Sequence, residues 1–168
     1  IEQLLRRRPE AIVVTGGRHT PRTRRLLHNS GVPVVETWDL PAAPIDHVVG
    51  FSNPQAARAL VDYFVSRGMT RIAFIGGDAR GDDRGAARRA GFVAAMQAHG
   101  LDATRLIAAG EAPVSMREGA QAMALLLDAA PDCEAAICVS DLVAFGALRE
   151  CQRRGVPVPG RLSLAGFG

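Results

Sequence analysis

A chain of 168 residues with 48 % hydrophobic side chains can bury a core, and neither its charge nor its hydrophobicity is that of a disordered segment. No apolar run approaches the roughly 20 residues that a membrane-spanning helix needs, which excludes that class of protein. The net charge of +3 comes entirely from arginine, because the chain has no lysine; the arginines cluster only at Arg6 to Arg8 and Arg22 to Arg25, a pattern of solvated helix ends that argues against a nucleic-acid patch.

The opening residues, IEQLLRRRPE, place Ile1, Leu4 and Leu5 at helical spacing before Pro9. They read as the end of a helix, without the apolar stretch of a signal peptide. Strand-like runs follow at 11–15, 32–37, 47–51, 71–75, 135–139 and 162–165. Helices are expected over 54–67, about 84–99, 116–129 and 141–154. In the first of these Ala57, Leu60, Val61 and Phe64 recur at helical spacing, with Pro54 near the start and Gly68 past the end, where helices tolerate each.

Strands that alternate with helices imply βαβ units. The order is αβαβ up to about Asp39, then a proline-rich crossing, LPAAPIDHVVGFSNP, then a longer run of βα units. The expected fold class is α/β, with two doubly wound parallel-sheet subdomains, 1–51 and 52–168, and a ligand cleft where crossing strands join them. Ligands of such sheets sit outside the carboxyl ends of the strands. The last residues, RLSLAGFG, halt with no closing element, so the chain reads as a fragment, incomplete at both ends.

Cys133, Cys138 and Cys151 are odd in number and form no CxxC pair, which supports neither a disulfide framework nor a zinc site and suggests a reducing, cytoplasmic setting. The histidines at 19, 28, 47 and 99 have no metal-ligand spacing, and no serine or cysteine stands in a nucleophile motif. No catalytic residue, metal or cofactor is expected.

The turn FIGGDARGDDRGAARRAGF is glycine-rich, yet Gly76, Gly77, Gly81 and Gly85 do not fit the dinucleotide fingerprint, and a P-loop cannot occur without lysine. Asp78, Asp82 and Asp83 would also repel a phosphate. Arg84 and Arg88 lie four apart on one face of the helix that follows, and arginine's planar fork matches a carboxylate. They are open to two readings, an organic-acid clamp or surface pairing with Asp82 and Asp83. Ser140 and Asp141, where a strand gives way to a helix, are either caps or ligand contacts. PVVETWD places Glu36 and Trp38 on one strand face, where the tryptophan either covers a sugar-like backbone or fills the core.

RGMTRIAFIGG, the arginine-bearing segment with RAGFVAAMQAHGLD, and AAICVSDLVAFGALRECQRRGVPVPGRLSLAGFG together resemble the effector-binding core of the lactose-repressor and galactose-repressor family of bacterial transcription regulators. Within that family GGRHTPRT, PVVETWD, VGFSNPQAARA and ALRECQRRGV look like the gluconate-utilisation repressors. The resemblance implies the periplasmic-binding-protein type I fold, a homodimer, and operator DNA held by an N-terminal helix-turn-helix domain absent from this chain. It assigns Arg88 to the family's effector-binding arginine and Arg84 to an arginine of the gluconate group. Thr15, Glu36, Trp38 and Phe51 match positions that line the cleft, and His19 lies in a gluconate-group block. Ser140 stands where the family usually has asparagine, followed by the expected Asp141. Phe145 matches a position that often packs in the dimer interface, and it is open to being a core residue.

The function so implied is a non-enzymatic, cytoplasmic sensor of gluconate or a related sugar acid that controls DNA binding by the dimer. The alternative is a periplasmic sugar-binding protein, which shares the fold without the regulation.

Overall fold

The computed structural model describes every residue except Ala79 and Ala112. Two compact units, Ile1–Ser52 and Asn53–Gly168, each build their own parallel sheet.

The first unit runs α1 (Glu2–Arg6), β1 (Ile12–Thr15), α2 (Pro21–Asn29), β2 (Val34–Thr37) and β3 (His47–Val49). The strands pair in the order β1-β2-β3, with Val13 opposite Val35 and Val35 opposite His47. Parallel neighbours need a crossover, and α2 supplies it between β1 and β2. Thr20 caps α2 by accepting from the Thr23 amide at 3.2 Å, and Pro21 fills the first helical position, where its missing N–H costs nothing. The core is small: Ile12, Leu27 and Val34 are buried, with Ile1, Leu5, Val14, Val32 and Ile45 packed against them.

The second unit runs α3 (Asn53–Ser66), β4 (Ile72–Ile75), α4 (Asp83–Ala98), β5 (Leu106–Ile107), α5 (Met116–Ala129), β6 (Ala135–Cys138), α6 (Asp141–Arg153) and β7 (Ser163–Ala165). Its parallel sheet has the order β5-β4-β6-β7, with Phe74 opposite Ile137 and Ile137 opposite Ala165. The central strands read IAFI and AAIC, and every residue of both is buried, as in parallel sheets covered on both faces. Phe74 of β4 meets Phe92 of α4 with ring centroids 5.3 Å apart. Two glycines let helices approach: a Cβ on Gly91 would lie 2.4 Å from the Pro54 carbonyl oxygen, and one on Gly146 would lie 2.0 Å from that of Met116. They bring α4 against the start of α3, and α6 against the start of α5.

Every strand expected from the sequence is present, with trimmed ends. β2 begins two residues late because Ser30 Oγ takes the Val32 amide and Pro33 has none to offer the ladder. β5 was not expected at all. Cys133, Cys138 and Cys151 are free, disulfide-less thiols of the second core, where burial pushes them up, that of Cys138 to about 12. Among the described residues no helix is long and apolar enough to cross a membrane.

Candidate functional site

In the first unit the strand ends carry Thr15, exposed at the end of β1, and Glu36, one residue before the end of β2. Glu36 is fully buried, and both of its oxygens are engaged: Oε1 lies 2.9 Å from His19 Nε2, and Oε2 accepts from the Ile45 amide at 2.6 Å. The carboxylate thereby ties the β1–α2 loop to the segment that crosses from β2 to β3. A buried carboxylate is tolerated only when hydrogen-bonded in this way.

The expected common face of Glu36 and Trp38 is not realised. Trp38 follows the last residue of β2 and has φ +69, which breaks the strand's alternation, so Glu36 turns inward while Trp38 is 48 % exposed. A tryptophan in the left-handed region is uncommon, and such conformations gather at functional sites. Its ring meets that of Phe51 edge-on, with centroids 6.3 Å apart. Together with Thr37, Val49 and Gly50 the two rings line a depression of about 340 Å³.

In the second unit Arg84 and Arg88 lie on α4, which Asp82 caps by accepting from the Gly85 amide at 2.9 Å. Arg88 is held from several directions. Its Nε donates to Asn53 Oδ1 at 2.8 Å, its Nη1 donates to the Val139 carbonyl at 2.8 Å, and its guanidinium lies over the Phe167 ring, 3.9 Å from the centroid. Val139 follows β6, which sets the guanidinium at the carboxyl end of a central strand.

Ser140 caps α6 by accepting from the Val143 amide, a long bond at 3.4 Å. Asp141 donates its amide to the Phe167 carbonyl at 3.0 Å, and its carboxylate fills the space where side chains at Gly166 and Gly168 would stand. Phe145 is 56 % exposed beside the similarly exposed Leu142, and it is not a core residue.

The structure therefore groups the expected residues into two sets: Thr15, His19, Glu36, Trp38 and Phe51 in one unit, Arg84, Arg88, Ser140 and Asp141 in the other. Sequence reasoning missed Asn53, Phe167 and the Ile45 amide. Asn53 had a signal, an asparagine directly before Pro54 at a helix start; the Phe167 contact had none. Among the described residues no cluster of His, Cys, Asp or Glu could hold a metal ion.

Each unit is a parallel α/β layer that carries polar and aromatic side chains at its strand ends, Thr15 and Trp38 in the first and Arg88 and Ser140 in the second. Residues 61–168, more than half of the chain, match the family described as periplasmic binding protein-like domain. The HTH-type transcriptional regulator GntR of Escherichia coli (strain K12) is 33 % identical over 167 residues, 99 % of this chain and 49 % of the regulator. The HTH-type regulator IdnR of the same strain is 34 % identical over 159 residues, 94 % of this chain and 47 % of that one. A crystal structure of a LacI family transcriptional regulator from Silicibacter pomeroyi superposes with a TM-score of 0.91 at 46 % identity, over 99 % of this chain and 62 % of that chain. The chain belongs to the periplasmic binding protein-like family, in the branch formed by regulators of the LacI type. It spans about half the length of the curated relatives it matches.

Proposed function

We propose that this chain is the effector-sensing part of a LacI-type repressor that binds gluconate or a related sugar acid and thereby controls operator binding by a dimer. The observation that carries the reading is Arg88, a guanidinium fixed at the carboxyl end of β6, where ligands of parallel sheets bind. In this reading Arg88, with Arg84 a turn before it, takes the carboxylate; Ser140 and Asp141 meet hydroxyls. In the first unit, taken by itself, Trp38 and Phe51 offer an aromatic surface suited to the apolar face of a sugar-like chain, Thr15 and His19 offer polar atoms, and Glu36 acts by holding His19. Residues 1–51 and 52–168 are then parts of the two effector subdomains, and Phe145 packs against a second copy.

The description of the relatives as HTH-type regulators supports a DNA-binding domain outside this chain and a cytoplasmic, non-enzymatic role. The four sequence blocks that resemble gluconate repressors support the ligand class. A ligand shifts such a regulator only by its differential affinity for two states.

Calorimetric titration of the full-length protein with gluconate, 6-phosphogluconate and glucose tests the reading. Gluconate binding that weakens about 30-fold in Arg88→Ala, the scale of about 2 kcal/mol for an anchoring arginine, is the expected result, with no heat from glucose. Equal binding of glucose, or an Arg88→Ala variant of unchanged affinity, would overturn it.

A further inference from the structure

The geometry points to Asn53 and Phe167 as positioning residues that set how Arg88 receives a carboxylate, and hence how strongly the site prefers an acid to a neutral sugar; this rests on the sugar-acid reading. An arginine has a long, rotamer-rich side chain, and a ligand that must order it loses affinity to that ordering. Here three elements do it beforehand. Asn53, the first residue of α3, takes Nε; the carbonyl of Val139, just after β6, takes Nη1; the Phe167 ring, just after β7, lies against the flat face. Two in-plane bonds fix the rotation of the group within its plane, and the ring fixes the plane itself.

Charge gives these partners a second role. An amide oxygen, a backbone carbonyl and an aromatic ring each hold the guanidinium without cancelling its unit charge, which a carboxylate partner would do. Asn53 is wholly buried, so a charge placed there would act on Arg88 with little screening. The site is also built to bring the two together, because Gly91, one turn after Arg88, lets α4 press against Pro54, the residue after Asn53. Phe167 is bracketed in turn, with Arg88 over its ring and the Asp141 amide on its carbonyl.

Titration of the full-length protein and its Asn53→Asp, Phe167→Leu, Phe167→Tyr and Arg88→Ala variants with gluconate tests the inference, with thermal melting recorded for each. Asn53→Asp keeps the oxygen that accepts from Nε, gives up the amide N–H and adds a charge, so it is expected to weaken gluconate binding by about tenfold, with the melting temperature separating that loss from a loss of fold. Phe167→Leu removes the π face and is expected to cost about fivefold, while Phe167→Tyr, which keeps it, stays within about twofold. If Asn53→Asp does not fold, the leucine and tyrosine pair decides the matter alone. Should Arg88→Ala lose gluconate while Asn53→Asp and Phe167→Leu bind as the wild type does, the positioning role is wrong and the sugar-acid reading stands. Should Arg88→Ala bind as well as the wild type, both fall.

Discussion

The two units differ in what they bury. In Asn53–Gly168 the central strands β4 and β6 are apolar on both faces, and Phe92, Met96, Met123 and Leu126 of the helices pack in the same core. In Ile1–Ser52 only Ile12, Leu27 and Val34 form a buried apolar group, and Glu36 lies as deep as any of them. One unit is thus ordered by apolar area removed from water, a non-directional effect spread over many side chains, and the other leans on a directed polar network around one carboxylate. A small core leaves little to compensate a local loss.

The largest expected effect breaks the comparison on its strong side. Phe92→Ala empties a fully buried site against Phe74 and should destabilise the second unit by about 3 to 5 kcal/mol, read from denaturant unfolding. The next falls on the weak side. Glu36→Ala leaves His19 and the Ile45 amide without their acceptor, a cost of about 1 to 3 kcal/mol. Hydrogen exchange should then show protection lost along β2 and β3 and kept along β4 and β6; retained protection in β2 would return the credit to Ile12, Leu27 and Val34.

The smallest effect is an acid one in the second unit. Bonds from Arg153, and then from Arg154, hold the Glu150 carboxyl down at about 2, and the Arg71 and Thr70 amides hold that of Glu134 below its usual range. Carboxyls depressed in the folded state contribute stability above the ordinary carboxylate range, and it is lost as pH falls through the folded values. The melting temperature should therefore drop between about pH 5 and pH 2, and Glu150→Gln should make that limb shallower; an unchanged limb would remove Glu150 from the account.

The sequence made the strand and helix order legible because burial imposes periodicity: IAFI and AAIC are readable as central strands, and Ala57, Val61 and Phe64 as one helix face. The bounds of α2 were not read, although Thr20 and Pro21 carry a local capping signal at its start. β5 was hidden because two residues, Leu106 and Ile107, show no alternation, and only the edge of β4 defines them as a strand. Arg88 was legible as a candidate from α4 alone, whereas its holders Asn53, Val139 and Phe167 come from distant points of the chain. Trp38 was placed on the wrong face because a change in the sign of φ leaves no trace in a period-two pattern.

That same residue gives the molecule an optical asymmetry. The chain has one tryptophan and one tyrosine, and each unit holds one of them: Trp38 at the aromatic depression of the first, Tyr63 on α3 of the second, beneath the guanidinium of Arg67. Emission excited at the red edge of the absorption band originates in the first unit alone, and the half-exposed indole will shift its spectrum when anything dry settles against it. The protein thus carries its own fluorophore at the aromatic depression of its first unit, without a label having to be added.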